Sequence, residues 1–328
     1  MRRFENKDAP NLSGAISLLQ EENTKGRHAV VAGGGTDLLV LIKDDITAPD
    51  TLVNLKTLKD LNQITEDEKS IRIGGLITLS ELSQHPLIRS HYTVLSEAAG
   101  TVATPQIRNV GTLSGNLCQR PWCWYFRRGF PCLKNGGNRC YSVTGENQFN
   151  AIFAGGPSYI VHPSDTAPAL LTLGAFFHII GPNGSKSVPA NEFFLRPRQD
   201  VTRENILESN EILAEVEIPI PSPRLRSTYN KFMDRQAWTH AVVSVAAALE
   251  IDENNVCHRA SLALGGVAPI PWQLPRVEQL LAGKPLTNDL AVMAGKAAVA
   301  GARPLSENAY KVSLTETLVR RTLLSLTK

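Results

Sequence analysis

Four of the chain's five cysteines, Cys118, Cys123, Cys132 and Cys140, fall within 23 consecutive residues in the spacing C-x4-C-x8-C-x7-C. The stretch around them, residues 112–140, also holds Arg120, Arg127, Arg128, Lys134 and Arg139 and not one Asp or Glu. Five cysteines in 328 residues do not make a secreted disulfide scaffold. An even set packed this densely points to a metal or cluster site. Four thiolates concentrate negative charge, and five neighbouring cations would offset it. Iron–sulfur clusters and zinc both accept four cysteines, so both stay open at this level. The spacing matches neither common ferredoxin pattern. It has a single close pair, Cys118 and Cys123, where zinc knuckles use two.

The same segment interleaves its cations with Trp122, Trp124, Tyr125 and Phe126, a pattern that single-stranded nucleic acids can exploit. A net charge of +3 and 6 % aromatic residues weigh against that use, and no nucleic-acid partner is expected. With 42 % apolar and 20 % charged residues the chain reads as soluble and globular. No apolar run approaches the roughly 18 residues of a membrane span. The start Met1-Arg2-Arg3 is followed by Glu5, Lys7 and Asp8 where a secretion signal needs an apolar core. A cytoplasmic location is therefore expected, although periplasmic export alongside a signal-bearing partner would leave no trace in this chain.

Along the chain, residues 11–22 read as a helix. An apolar strand at 28–32 runs into Gly33-Gly34-Gly35-Thr36-Asp37, and a helix restarts at Leu38. Strand, glycines and helix in that order can present bare backbone N–H groups to a phosphate. Asp37 would repel such an anion, so Thr36 or Asp37 is assigned to capping the helix. Neither G-x-G-x-x-G nor G-x-x-x-x-G-K-[ST] occurs, which excludes a Rossmann or P-loop turn. Residues 104–112 read as a polar, proline-kinked loop leading to Ser114-Gly115-Asn116. Strands are expected at 51–53, 71–74, 159–161, 176–180, 212–218 and 260–264, with strand-like character also at 170–173. Two helical patterns close the chain. Alternating prolines at 219–223 read as a linker and a domain boundary.

Five stretches in order, VAGGGTDLL (31–39), GTLSGNL (111–117), HPSD (162–165), EILAEVEIP (211–219) and KFMDRQAWTHAVVSV (231–245), resemble one family. It is the FAD-binding medium subunit of the molybdenum hydroxylases, the xanthine dehydrogenase and aldehyde oxidoreductase group. The cysteine segment resembles the variant with an inserted [4Fe–4S] loop, as in the medium subunit of 4-hydroxybenzoyl-CoA reductase. The resemblance implies an α+β chain. Two α/β subdomains of the p-cresol methylhydroxylase type (1–57 and 58–221, with the cysteine loop at 117–156) would clasp FAD, and a smaller α+β C-terminal domain would occupy 222–328. It implies FAD contacts from Ala32, Gly33, Gly34, Gly35, Thr36, Asp37 and Leu38, from Val102, and from Thr112, Ser114, Gly115 and Asn116. Asp165 would bond polar groups of FAD, and Leu213 and Lys231 would stand near the flavin ring. A lysine there would favour the reduced, anionic flavin by Coulomb attraction. Cys118, Cys123, Cys132 and Cys140 would ligate the [4Fe–4S] cluster, with zinc as the rival occupant. The implied function is electron transfer in an oxidoreductase. A large subunit with a molybdenum cofactor performs the hydroxylation, a small [2Fe–2S] subunit passes electrons to FAD, and an external acceptor removes them. No catalytic acid, base or nucleophile is assigned to this chain. The alternative is a self-sufficient FAD-dependent oxidase or dehydrogenase with structural zinc.

Overall fold

A computed structural model describes residues 2–327. Three parallel strands, β1 (Glu5–Asp8), β2 (Ala29–Ala32) and β3 (Thr51–Asn54), form the first sheet in the order β1-β3-β2. The helix Leu12–Thr24 crosses between the first two. Asn11 caps it by accepting a 2.7 Å hydrogen bond from the Gly14 N–H, which satisfies one of the free donors of the first turn. Ala15, Ile16 and Leu19 recur at helical spacing and bury against Ala29 and Val53. On the same helix the fully buried Glu22 accepts from Lys7 (2.8 Å) and Thr51 (2.6 Å) and pairs with Arg27 (3.1 Å). The Lys7 and Thr51 bonds pull its carboxyl down to about 2 from an ordinary 4.5. A depressed carboxyl contributes stability that is present above its unfolded value and lost as pH falls through its folded value. Glu22→Gln should therefore lower Tm near neutral pH. The gap to the parent protein should close as pH is taken from about 5 to about 2 in a thermal-melt series. A gap independent of pH would show that the carboxylate charge is not what Glu22 contributes.

The second sheet is antiparallel. It joins β4 (Ile64–Glu66), β5 (Ser70–Gly74), β6 (Phe176–Gly181), β7 (Gly184–Pro189) and β8 (Ile212–Pro219) in the order β4-β5-β8-β6-β7. Its apolar residues share one core with the helices Leu79–Gln84, Thr93–Gly100 and Thr166–Thr172. Between β6 and β8 the register skips Ala214, because His178 faces Glu215 while Ile179 faces Leu213. Such a bulge re-aims the strand end, here the end that carries Leu213.

The third sheet holds β9 (Leu225–Phe232), β10 (Val243–Ile251), β11 (Val256–Gly265) and β12 (Trp272–Gln273) in the order β12-β11-β10-β9, with β13 (Lys284–Pro285) pairing on β11. β10 is buried on both faces. Ala246 joins the core of the second sheet, whereas Val245, Ala247 and Leu249 pack with the helices Asn288–Ala298 and Tyr310–Ser325. Small and branched residues throughout this strand answer to that double burial.

Three expectations fail. Residues 159–161 form no strand; their backbone is held instead by bonds from Ala151 N–H to Tyr159 O and from His162 N–H to Ala268 O. Residues 170–172 belong to the helix Thr166–Thr172. The proline-kinked passage contains the short helix Pro105–Arg108, capped by Thr104, and the helix Leu113–Leu117, capped by Thr112, follows it. In each case local composition suited two structures and packing chose one. Among the described residues no helix is long and apolar enough to cross a membrane.

Candidate functional site

A cleft of about 670 Å³ runs from the glycine turn after β2 to the loop after β9. It is lined by Ala32, Gly33, Gly34, Gly35, Thr36, Asp37 and Leu38 on one side, and by Val102, Thr112, Ser114, Gly115, Asn116, Asp165 and Leu213 on the others. Lys231 is absent from its wall. The glycine turn abuts the second loop so closely that a Cβ on Gly34 would lie 2.2 Å from the Val110 carbonyl oxygen and 2.9 Å from Gly111 Cα. Gly35 has φ +74, the left-handed region that glycine adopts without steric cost. The second segment spends its own N–H groups internally: Val110 and Gly111 donate to Ile107 O, Leu113 to Ile77 O and Ser114 to Gly75 O.

Thr112 caps Leu113–Leu117 by accepting from the Gly115 N–H (3.2 Å). The next hydroxyl, Ser114 Oγ, is buried with no hydrogen-bond partner among the described residues. A buried hydroxyl left unbonded is costly, and a polar ligand in the cleft would satisfy it. Asn116 Oδ1 accepts from Ser164 Oγ (2.6 Å) and Thr166 Oγ1 (2.7 Å), which ties this loop to the HPSD segment. A glycine turn, an orphan hydroxyl and a long, largely apolar cleft together suit a dinucleotide that has both a pyrophosphate and a ring.

Residues 3–221 match the profile of the FAD binding domain in molybdopterin dehydrogenase, and residues 227–326 match that of the CO dehydrogenase flavoprotein C-terminal domain. The chain is a FAD-binding subunit of the molybdenum hydroxylase family. Similar proteins include the aldehyde oxidoreductase FAD-binding subunit PaoB of Escherichia coli, 34% identical over 89% of this chain and 88% of that protein. The nicotinate dehydrogenase FAD-subunit of Eubacterium barkeri is 30% identical over 88% and 82%. The fold is shared with a chain of carbon monoxide dehydrogenase from Hydrogenophaga pseudoflava, with a TM-score of 0.78 at 24% identity, covering 99% of this chain and 97% of the other.

Within this FAD-binding subunit, Asp165 accepts from Tyr229 Oη (2.6 Å) and from Lys231 Nζ (2.7 Å), and Lys231 also donates to Thr101 O (3.1 Å). Burial, and then the Asp165 charge, raise the Tyr229 hydroxyl well above its usual range, so it stays a donor. The Lys231 side chain is 1% exposed and stands behind Asp165. The lone cation expected beside the flavin is therefore half of a neutral ion pair, and its immediate effect is to fix the aspartate. Arg235, Trp238, Thr239 and His240 also line the cleft. These residues lie inside the KFMDRQAWTH motif, but only Lys231 was given a role from sequence. Burial pulls the His240 imidazole down to about 4 and that of His162 to about 3, so both are neutral at physiological pH.

Asp37 occupies the N-cap position of the helix Leu38–Lys43 without making a capping bond. Its carboxylate instead accepts from the Arg120 N–H (2.9 Å) and from Arg127 (2.7 Å), and no bond from Thr36 replaces the cap. Glu204, similarly, pairs with Arg120 (2.6 Å) and with Lys134, which also donates to Val201 O (2.9 Å). Three of the five cations expected to offset thiolates thus dock the cysteine segment onto the FAD-binding region. Arg139 lies over the Tyr141 ring, and Arg128 is exposed.

The four cysteines do not converge. Cys118 ends the helix Leu113–Leu117, faces the main core, and is pushed up to about 12 by burial alone. Cys123, by contrast, is raised by burial and, more weakly, by Cys140 and Cys132, so it lies within electrostatic range of each. Among the described residues no group of three or more His, Cys, Asp or Glu side chains is arranged to hold a metal ion. The four-cysteine ligand set does not fit this arrangement.

Proposed function

We propose that this subunit is the electron-transfer component of a multi-subunit molybdenum hydroxylase. It would hold FAD in the cleft between a molybdenum-cofactor large subunit and a [2Fe–2S] small subunit on one side and an external acceptor on the other. The observation that carries this reading is the close meeting of Gly34 with Val110 and Gly111 beside the orphan Ser114 hydroxyl, a cradle suited to a pyrophosphate. Relatives of similar length are themselves subunits: a medium chain of carbon monoxide dehydrogenase, the FAD-subunit of a nicotinate dehydrogenase and the FAD-binding subunit of an aldehyde oxidoreductase. FAD, when bound, supplies the ability to take electrons and pass them on.

The chain's own residues bind and orient. The glycine turn gives the cofactor close approach to the backbone, Asn116 fixes Ser164 and Thr166, and Lys231 with Tyr229 holds Asp165 as an oriented acceptor at the ring end of the cleft. The FAD-binding portion is proposed to end near residue 221. Ile152 and Phe153 nevertheless cross that division to bond Val267, and Phe153 stacks on Trp272.

A second reading, an iron–sulfur cluster in the cysteine segment, rests on the electrostatic reach of Cys123 to Cys132 and to Cys140. Absorption, flavin and metal analysis of anaerobically purified protein tests both. Stoichiometric FAD is expected. About four irons per flavin, lost in Cys132→Ala and kept in Cys118→Ala, would establish the cluster on those three thiols plus a further ligand. Zinc without iron would replace the cluster by a structural staple. Substrate turnover by the isolated chain would favour the self-sufficient oxidase, and failure to bind FAD after reconstitution would overturn the main reading.

A further inference from the structure

A second cavity, of about 430 Å³, adjoins the FAD cleft at the loop after β9. The two share Trp122, Asp165, Trp238 and His240 as a common wall. The opposite wall is built by the cysteine segment, through Trp124 and Tyr125, and by Phe149 just after it. Rings dominate. Trp124 meets Phe149 edge-on with centroids 5.7 Å apart, and Trp122 lies against His240 at 5.0 Å. Trp238 is 59% exposed at the mouth and is held at φ +59, a conformation uncommon for a bulky residue, by an N–H bond to Ala103 O (3.2 Å).

We propose that this chamber binds a neutral, planar two-electron acceptor of the quinone class, taking its reducing equivalents from the adjoining flavin. The proposal rests on the FAD reading above. Aromatic walls hold a flat ring by stacking and edge contacts, and a volume of a few hundred Å³ suits a molecule of two or three rings. A nicotinamide dinucleotide would bring a pyrophosphate, for which the chamber offers no surplus of positive charge. Asp165 is spent on Lys231, and among the other lining residues Glu146 and Asp234 outnumber the single cation Arg235, which donates to Trp238 O (3.0 Å). Nearby, Lys311 uses its ammonium on the carbonyls of Phe149, Asn150 and Gly266. The neutral His240 has one N–H and one bare nitrogen, so it can donate to a quinone carbonyl and accept from a hydroquinone hydroxyl. The exchange balances without another reactant: reduced flavin gives up two electrons and two protons, and both quinone C=O groups become C–OH.

Three of the four tryptophans, Trp122, Trp124 and Trp238, line the chamber, so binding is readable by fluorescence without turnover. The full chain, with and without FAD, is titrated with menadione while flavin content is measured separately. Saturable quenching is expected in both forms, with Kd weakened at least roughly tenfold (about 1.4 kcal/mol) in Trp124→Ala and Phe149→Ala and FAD content unchanged. Phe149→Leu, a milder change, serves should either alanine variant unfold. Quenching that does not saturate, an unaltered Kd in the variants, or displacement of menadione by FAD would overturn the proposal. Normal menadione binding in a chain that takes up no FAD would sink the FAD reading instead.

Discussion

Gly34→Ala should yield a folded chain that no longer retains FAD. The added Cβ would sit 2.2 Å from the Val110 oxygen and 2.9 Å from Gly111 Cα, and neither is the end of a flexible side chain. The glycine turn and the loop before Thr112 would have to separate, which deforms the wall that both give the cleft. A loss of FAD affinity of at least tenfold, about 1.4 kcal/mol, is a lower expectation for dismantling such a cradle. The control is Gly129→Ala. That residue has φ +70 but open space around it, so the change strains the backbone by about 1–2 kcal/mol and leaves the cleft alone. Flavin content after gel filtration, with far-ultraviolet circular dichroism as the check on folding, separates the outcomes. Stoichiometric FAD in Gly34→Ala would show that the pyrophosphate does not lie against this turn.

Glu204→Ala should loosen the whole cysteine segment. The carboxylate is 4% exposed and pairs with Lys134, itself 2% exposed, and with Arg120. Removing one partner of a buried pair leaves a charge in a low dielectric and typically costs about 3–5 kcal/mol. Lys134 takes most of that penalty, since Arg120, 34% exposed, can turn to water. Unfolding in urea should shift to lower concentration, and trypsin should cut at the exposed Arg128. The double change Glu204→Leu with Lys134→Met removes both charges and should recover most of the loss. Unchanged urea and trypsin behaviour would mean that the segment is held by its aromatic packing alone.

These ion pairs mark where reading along the chain stops. That the glycine turn, the Thr112 loop and the HPSD aspartate would line one cleft was legible because each is a short run with its own residue pattern. The mixed α+β class was legible too, as were the strands with alternating or continuous apolar residues. The partners of the charges were not. Asp37 and Arg127 stand 90 positions apart, Lys134 and Glu204 70, and Asp165 and Lys231 66. Between residues that distant, spacing says nothing about contact. A run of cations beside cysteines therefore read as a counter-charge for thiolates, when three of them face carboxylates brought in by other loops. Residues 159–161 failed as a strand for a related reason: an apolar triplet makes a strand only where a neighbouring strand offers its edge.

By itself, then, the sequence determined the family and the short runs, from the glycine turn to the HPSD segment, that line the cleft. Each of these depends on residue type at close spacing. Tertiary structure alone decided that Lys231 serves Asp165, that Asp37 clamps the cysteine segment, and that Cys118 stands apart from Cys123, Cys132 and Cys140. It also decided that an aromatic chamber adjoins the FAD cleft. The physical reason is common to all four. Burial and Coulomb energy depend on distance through space, and only the packed core and the docked loops set those distances.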